Sequence, residues 1–153
     1  MGLTHSTIDG LMQDCINLRQ KALQIKENYD SKHTLDHAAI ERLIKDTNVF
    51  RSHIRSFDED STAKLQKIAQ NWNRQQAHGH SPSSNHPEIP EKIRNKVSRL
   101  HSKDLEVDRE LVHIIGTLHH LDANDHENKT RYLVLLYNEL THVKGMLDKL
   151  KKL

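Results

Sequence analysis

The chain has 153 residues, 29% of them charged, 35% hydrophobic and 4% aromatic, with a formal net charge of +2. Both signs of charge are interspersed, which disfavours an obligate nucleic-acid binder, and no apolar run approaches the roughly 20 residues needed to cross a bilayer. Five Gly and three Pro leave room for long helices, and Val and Thr nowhere cluster as they do in strands, so the expected class is all-α.

The first apolar series is Ile8, Leu11, Cys15, Leu18, Ala22, Ile25 and Tyr29, whose spacing alternates between three and four as in an a/d heptad seam. Ser6 stands where it can cap this helix, with Asp9 at the positive end of the helix dipole. Cys15 lies on the seam and reads as a small core residue. As the single cysteine it makes no internal disulfide, which fits a reducing, cytoplasmic compartment.

Thr34 is the expected cap of a second helix with the seam Ile40, Leu43, Thr47, Phe50, Ile54 and Phe57. The spacing changes at residues 58–61. Either the helix continues through a stutter to Leu65, Ile68 and Trp72, or it ends and restarts at Ser61. All three prolines fall between Ala77 and Pro90, where apolar periodicity is lost. Residues 78–89 therefore read as a His/Pro/Ser-rich linker between a first helical hairpin, 6–77, and a second, 90–152. Ser81-Pro82 is a candidate phosphorylation site within it.

Pro90 suits the first turn of a third helix, with the seam Ile93, Val97, Leu100, Asp104, Val107, Leu111, Ile114, Leu118 and Leu121. Asp104 breaks the apolar rule. The run Lys92, Arg94, Lys96, Arg99 and Lys103 has no stacking aromatic and reads as a solvated face. Asn124 and Glu127 resemble a capping box for a fourth helix, whose seam is Leu133, Leu136, Leu140, Val143, Leu147 and Leu150.

Short turns between long helices make antiparallel neighbours. The register that fits the turns pairs Ile25 with Ile40, Cys15 with Phe50, Leu111 with Leu136 and Ile114 with Leu133, and brings Lys21 near Asp46. The expected fold is two antiparallel hairpins forming a four-helix bundle or an elongated coiled coil.

Glu-x-x-His occurs twice in the second hairpin, as Glu110/His113 and Glu139/His142. Four-helix carboxylate proteins use two such motifs to hold a pair of metal ions, but that site needs ligands projecting into the core and further carboxylates from the other helices. Asp14 and Asp46, the nearest candidates, have no matching signature. The register places both glutamates on the hairpin flank and both histidines farther round toward solvent, so no metal or other cofactor is expected. His33 and His37 form an i, i+4 pair, and His78, His80 and His86 enrich the linker. Neither group has supporting ligands at metal-site spacing. With no phosphate loop, nucleophile elbow or dinucleotide fingerprint, the chain reads as non-enzymatic.

Helix four is apolar beyond its seam, from Tyr132 to Tyr137, and helix three adds Leu105, Val112 and Ile115. One hairpin buries one stripe, so this surplus calls for a second covering surface. The first hairpin can supply it by completing a bundle, or a partner helix or second copy can. Val112, Ile115, Tyr132, Val134, Leu135 and Tyr137 are the candidate partner-binding residues. The expected function is a non-catalytic helical adaptor or scaffold subunit that binds a protein partner, or itself, through helix packing. Met1-Gly2-Leu3-Thr4-His5-Ser6 also matches the M-G-x-x-x-[ST] acylation pattern. An adaptor anchored through acylated Gly2 is the alternative, and membrane contact is expected in that case alone. A metal-binding bundle is the third reading.

Overall fold

A computed structural model describes residues 7–77, 88–123 and 129–153. Its four helices are α1 (Ile8–Lys32), α2 (His37–Ala77), α3 (Glu88–Ala123) and α4 (Lys129–Lys151). The cap of α1 is Thr7, one residue after the expected Ser6, and its hydroxyl accepts the Gly10 N–H at 3.1 Å. The helix closes at His33, which takes the left-handed conformation (φ 54°) so that its N–H reaches the Tyr29 carbonyl at 2.8 Å.

Asp36, not Thr34, caps α2. Its Oδ1 accepts the Ala39 N–H at 3.1 Å, because a capping side chain stands three residues before the amide it satisfies. His33 and His37 therefore belong to two different helix ends and share no helix face. Through residues 58–61, which contain neither Gly nor Pro, α2 runs unbroken, so the change of spacing is absorbed as a stutter. At its start α3 takes in Glu88 and Ile89 from the expected linker, with Pro90 in its first turn. Asn124, Glu127 and the linker positions His78, His80, Ser81 and His86 lie outside the described residues, as do Ser6 and Gly2.

The two hairpins pack on one another as a four-helix bundle. Each helix touches two neighbours in the ring α1, α2, α3, α4, and the interfaces between hairpins, α2/α3 and α1/α4, are the most extensive. The heptad positions explain why. Leu11 to Ile25 on α1, Ile40 to Ile54 on α2, Leu100 to Leu121 on α3 and Leu133 to Leu150 on α4 supply one continuous buried core. Thr47 is tolerated within it because its hydroxyl donates to the Leu43 carbonyl at 2.7 Å.

Polar pairs mark every interface of the ring. Lys21 meets Asp46 between α1 and α2 at 2.5 Å, as the sequence register expects, and His53 meets Asp14 beside it at 2.9 Å. Arg51 grips Asp108 with two hydrogen bonds between α2 and α3. Arg19 donates to the Tyr137 hydroxyl at 2.9 Å between α1 and α4, where Lys151 also pairs with Asp9.

Helix length divides the molecule along its axis. At 1.5 Å per residue, the 41 residues of α2 span about 61 Å and the 25 residues of α1 about 37 Å. The ends of α1 and α4 lie level with Phe57 to Leu65 of α2 and Lys96 to Leu100 of α3. Beyond this level, among the described residues, α2 and α3 continue as a two-helix overhang.

Candidate functional site

Three places combine unsatisfied chemistry with exposure. The first is the overhang. At the level where the bundle ends Phe57, Leu65 and Val97 are half-buried, and in the overhang Trp72 and Ile93 are half-buried and Ile68 is 55% exposed, whereas heptad positions in the middle of the four-helix segment, such as Leu43, Thr47 and Phe50, are buried. Each seam faces only one other helix here, so its flanks remain open. Where the overhang leaves the bundle, a groove of about 280 Å³ is lined by Ile8, Phe57, Leu65, Leu100, Leu150 and Leu153, with Lys64, Lys96 and Lys151 at its edges.

The residues expected to bind a partner fare differently from one another. Tyr132 packs against the core and stacks on His120, with ring centroids 5.9 Å apart, and Tyr137 sits beneath the Arg19 guanidinium. Both are thus engaged within the bundle, and Ile115 is half-buried. Val112, Val134 and Leu135 remain exposed. The two tyrosines of the apolar surplus of α4 are taken up by α3 and α1, while its two aliphatic members, Val134 and Leu135, stay open.

The second place is a groove of mixed charge of about 170 Å³ between α2 and α3, lined by Arg51, Arg55, Asp58, His101, Asp104 and Asp108 among others. Asp104 occupies a core position and is only 4% exposed, and no N–H or hydroxyl donor reaches either of its carboxyl oxygens, leaving the Asp58 carboxyl as its hydrogen-bond neighbour. Burial, reinforced by the neighbouring Asp58 carboxyl, pushes the Asp104 carboxyl up to about 8. At neutral pH it is therefore predominantly the neutral acid. Asp58 is held on its other oxygen by His101 Nδ1 at 2.8 Å.

The third place is the paired Glu-x-x-His motif. Antiparallel packing sets each histidine against the glutamate of the opposite helix: His113 Nδ1 lies 2.6 Å from Glu139 Oε2, and His142 Nδ1 lies 3.9 Å from Glu110 Oε2. The sequence register had the histidines diverging toward solvent. Their rings are indeed about two-thirds exposed, yet they fold back onto the glutamates. Glu139 is buried, and its second oxygen, Oε1, lies 3.0 Å from the Thr117 hydroxyl. Thr117, one helical turn after His113, was not singled out by sequence; its signal was that spacing on the flank of α3. Donor atoms of Glu110, His113 and Glu139 all fall within 4.8 Å of one another, the one such grouping among the described residues. Asp14 and Asp46 stand on the α1/α2 interface with His53 and Lys21, so they do not join it.

Cys15 is fully buried and its thiol donates to the Leu140 carbonyl at 3.5 Å. Burial pushes it up to about 12, which makes it a packing residue and not a nucleophile. No helix among the described residues is long and apolar enough to cross a membrane. Comparison with protein-family models, with curated proteins and with solved structures gives no match, so a functional reading rests on the chain's own residues.

Proposed function

We propose that this chain is a non-catalytic helical adaptor or scaffold subunit whose α2/α3 overhang receives one or two helices of another chain, or of a second copy. The observation that carries the reading is the loss of burial along a continuing heptad seam. Positions that are closed where four helices run side by side are half-open at Leu65, Trp72, Ile93 and Val97 and largely open at Ile68. An incoming amphipathic helix would restore there the cross-section that α1 and α4 supply elsewhere. Taking an apolar side chain from full exposure to burial is worth about 1.5–3 kcal/mol, and roughly half that where it begins half-buried. Several such positions in one stripe suffice for a specific helix-packing contact. The groove at the base of the overhang gives a docked helix a defined end point, and its lysines favour an acidic residue there.

Affinity capture with the full chain and its Ile68→Asp variant tests this reading, alongside light scattering of both at micromolar concentration. Partner recovery, or a dimer mass, is expected with the natural sequence and is lost with Ile68→Asp, while Leu135→Asp retains it. Association undiminished in a folded Ile68→Asp variant would place the contact elsewhere.

A further inference from the structure

We propose that Glu110, His113, Glu139 and His142 form a binding site for a single divalent transition-metal ion of the zinc class on the α3/α4 flank. Each motif supplies one carboxylate and one imidazole at i, i+3, and the antiparallel pairing turns one motif end for end against the other. The result is a two-plus-two set of donors drawn from two helices. Ligand atoms of a tetrahedral ion bound at 2.0–2.2 Å stand about 3.3 Å from one another. The existing separations, 2.6 Å for His113 to Glu139 and 3.9 Å for His142 to Glu110, bracket that value. Donor atoms of Glu110, His113 and Glu139 already lie within 4.8 Å of one another, and His142, outside that grouping, completes the set by turning its exposed ring inward from beside Glu110.

One ligand is already fixed. Glu139 is 5% exposed and held through Oε1, leaving Oε2 directed at His113. The Thr117 hydroxyl lies near both this carboxylate, at 3.0 Å, and the His113 carbonyl, at 3.2 Å. It has one proton, and the charged oxygen is the stronger acceptor, so it orients the carboxylate from behind as outer partners of metal ligands do. Among the described residues neither glutamate pairs with a lysine or arginine. Two carboxylates with two neutral imidazoles carry a charge of about −2, which a divalent ion neutralises. Mixed imidazole and carboxylate donors without thiolate suit zinc, cobalt, nickel or copper, whereas magnesium and calcium take sets made wholly of oxygen. Because the donors lie on the flank and Leu111, Ile114, Leu136 and Leu140 fill the core behind them, the site takes one ion and not a buried pair.

The test is a titration of the full chain with Zn²⁺ in competition with a chelator, with the ring resonances of His113 and His142 followed by NMR. One equivalent is expected to shift both rings. The double variant His113→Ala/His142→Ala, which removes only exposed rings, loses at least about 100-fold in apparent affinity, and Thr117→Val loses about tenfold. A control variant, His37→Ala/His101→Ala, retains the natural affinity and so separates this site from the chain's other histidines. Equal zinc affinity in the natural chain and the double variant, or ring resonances unmoved at one equivalent, would overturn the proposal. Far-ultraviolet circular dichroism of the metal-free variants confirms that their helices are intact before affinities are compared.

Discussion

Asp104 shows what one residue does when its side chain disagrees with its heptad position. Its backbone is committed to the core by Leu100, Val107 and Leu111 on the same stripe, so the carboxyl is carried inside with no donor to accept from and only the Asp58 carboxyl beside it. A group whose folded pKa is raised from 3.8 to about 8 holds a proton that the unfolded chain has already lost between those values. The stability contribution of this group therefore falls as pH rises through roughly 4 to 8, and levels above that. Replacement by Leu removes the penalty and restores the seam. Asp104→Leu is expected to raise stability by about 1–3 kcal/mol at pH 8, to give no gain at pH 5, and to flatten the pH dependence between them. Urea denaturation at the two pH values checks this, and an equal or larger gain at pH 5 would show that ionisation is not the cause. That Asp104 departs from the apolar pattern is plain in the sequence. That Asp58 of α2 stands beside it is not, because the contact depends on how the two hairpins dock.

Among the elements, the helices were legible wherever heptad spacing held. Each core position from Leu11 to Ile25 and from Leu133 to Leu150 was marked by its three-four alternation, and burial follows it. The ends were less so: Thr7 and Ser6 are both competent caps, and hydroxyl chemistry alone does not choose between them. At the paired Glu-x-x-His motifs, a two-helix register buries only the a and d positions. The burial of Glu139 at a flank position goes with its two partners on α3, His113 and Thr117, whose side chains turn toward it across the hairpin. The stutter at 58–61 was ambiguous because a change of heptad spacing marks either a stutter or a break, and the helix formers from Ala63 to Gln70 together with packing on α3 decide for continuation. Position along α2 now predicts mutational cost. Phe50→Ala, in the fully buried segment, is expected to cost about 3–5 kcal/mol. Ile68→Ala in the overhang should cost less than about 1 kcal/mol. Similar losses in urea titrations of the two variants would mean that the overhang is as closed as the core.

At the scale of the whole molecule, a closed four-helix segment is tied at each interface by polar pairs and continues into a two-helix projection with the same seam and fewer neighbours. The bundle itself follows from four amphipathic stripes with short connections. The projection follows from unequal helix lengths, which no single stripe reveals, because α2 and α3 carry apolar periodicity as far as Trp72 and back from Ile93. The surplus apolar surface read in Tyr132 to Tyr137 is met inside the bundle at the two tyrosines and stays open at Val134 and Leu135, and a second open apolar stripe lies on the overhang. If that seam is a docking surface, its backbone should be the least protected helical part of the isolated chain and the part most changed on association. Amide hydrogen exchange of the full chain, alone and in its captured or self-associated complex, measures this directly. Residues 66–74 and 92–97 are expected to exchange much faster than 40–54 and 107–121 in the isolated chain and to slow selectively in the complex. Equal protection along all of α2 in the isolated chain, or a complex that protects other residues and leaves the overhang unchanged, would contradict it.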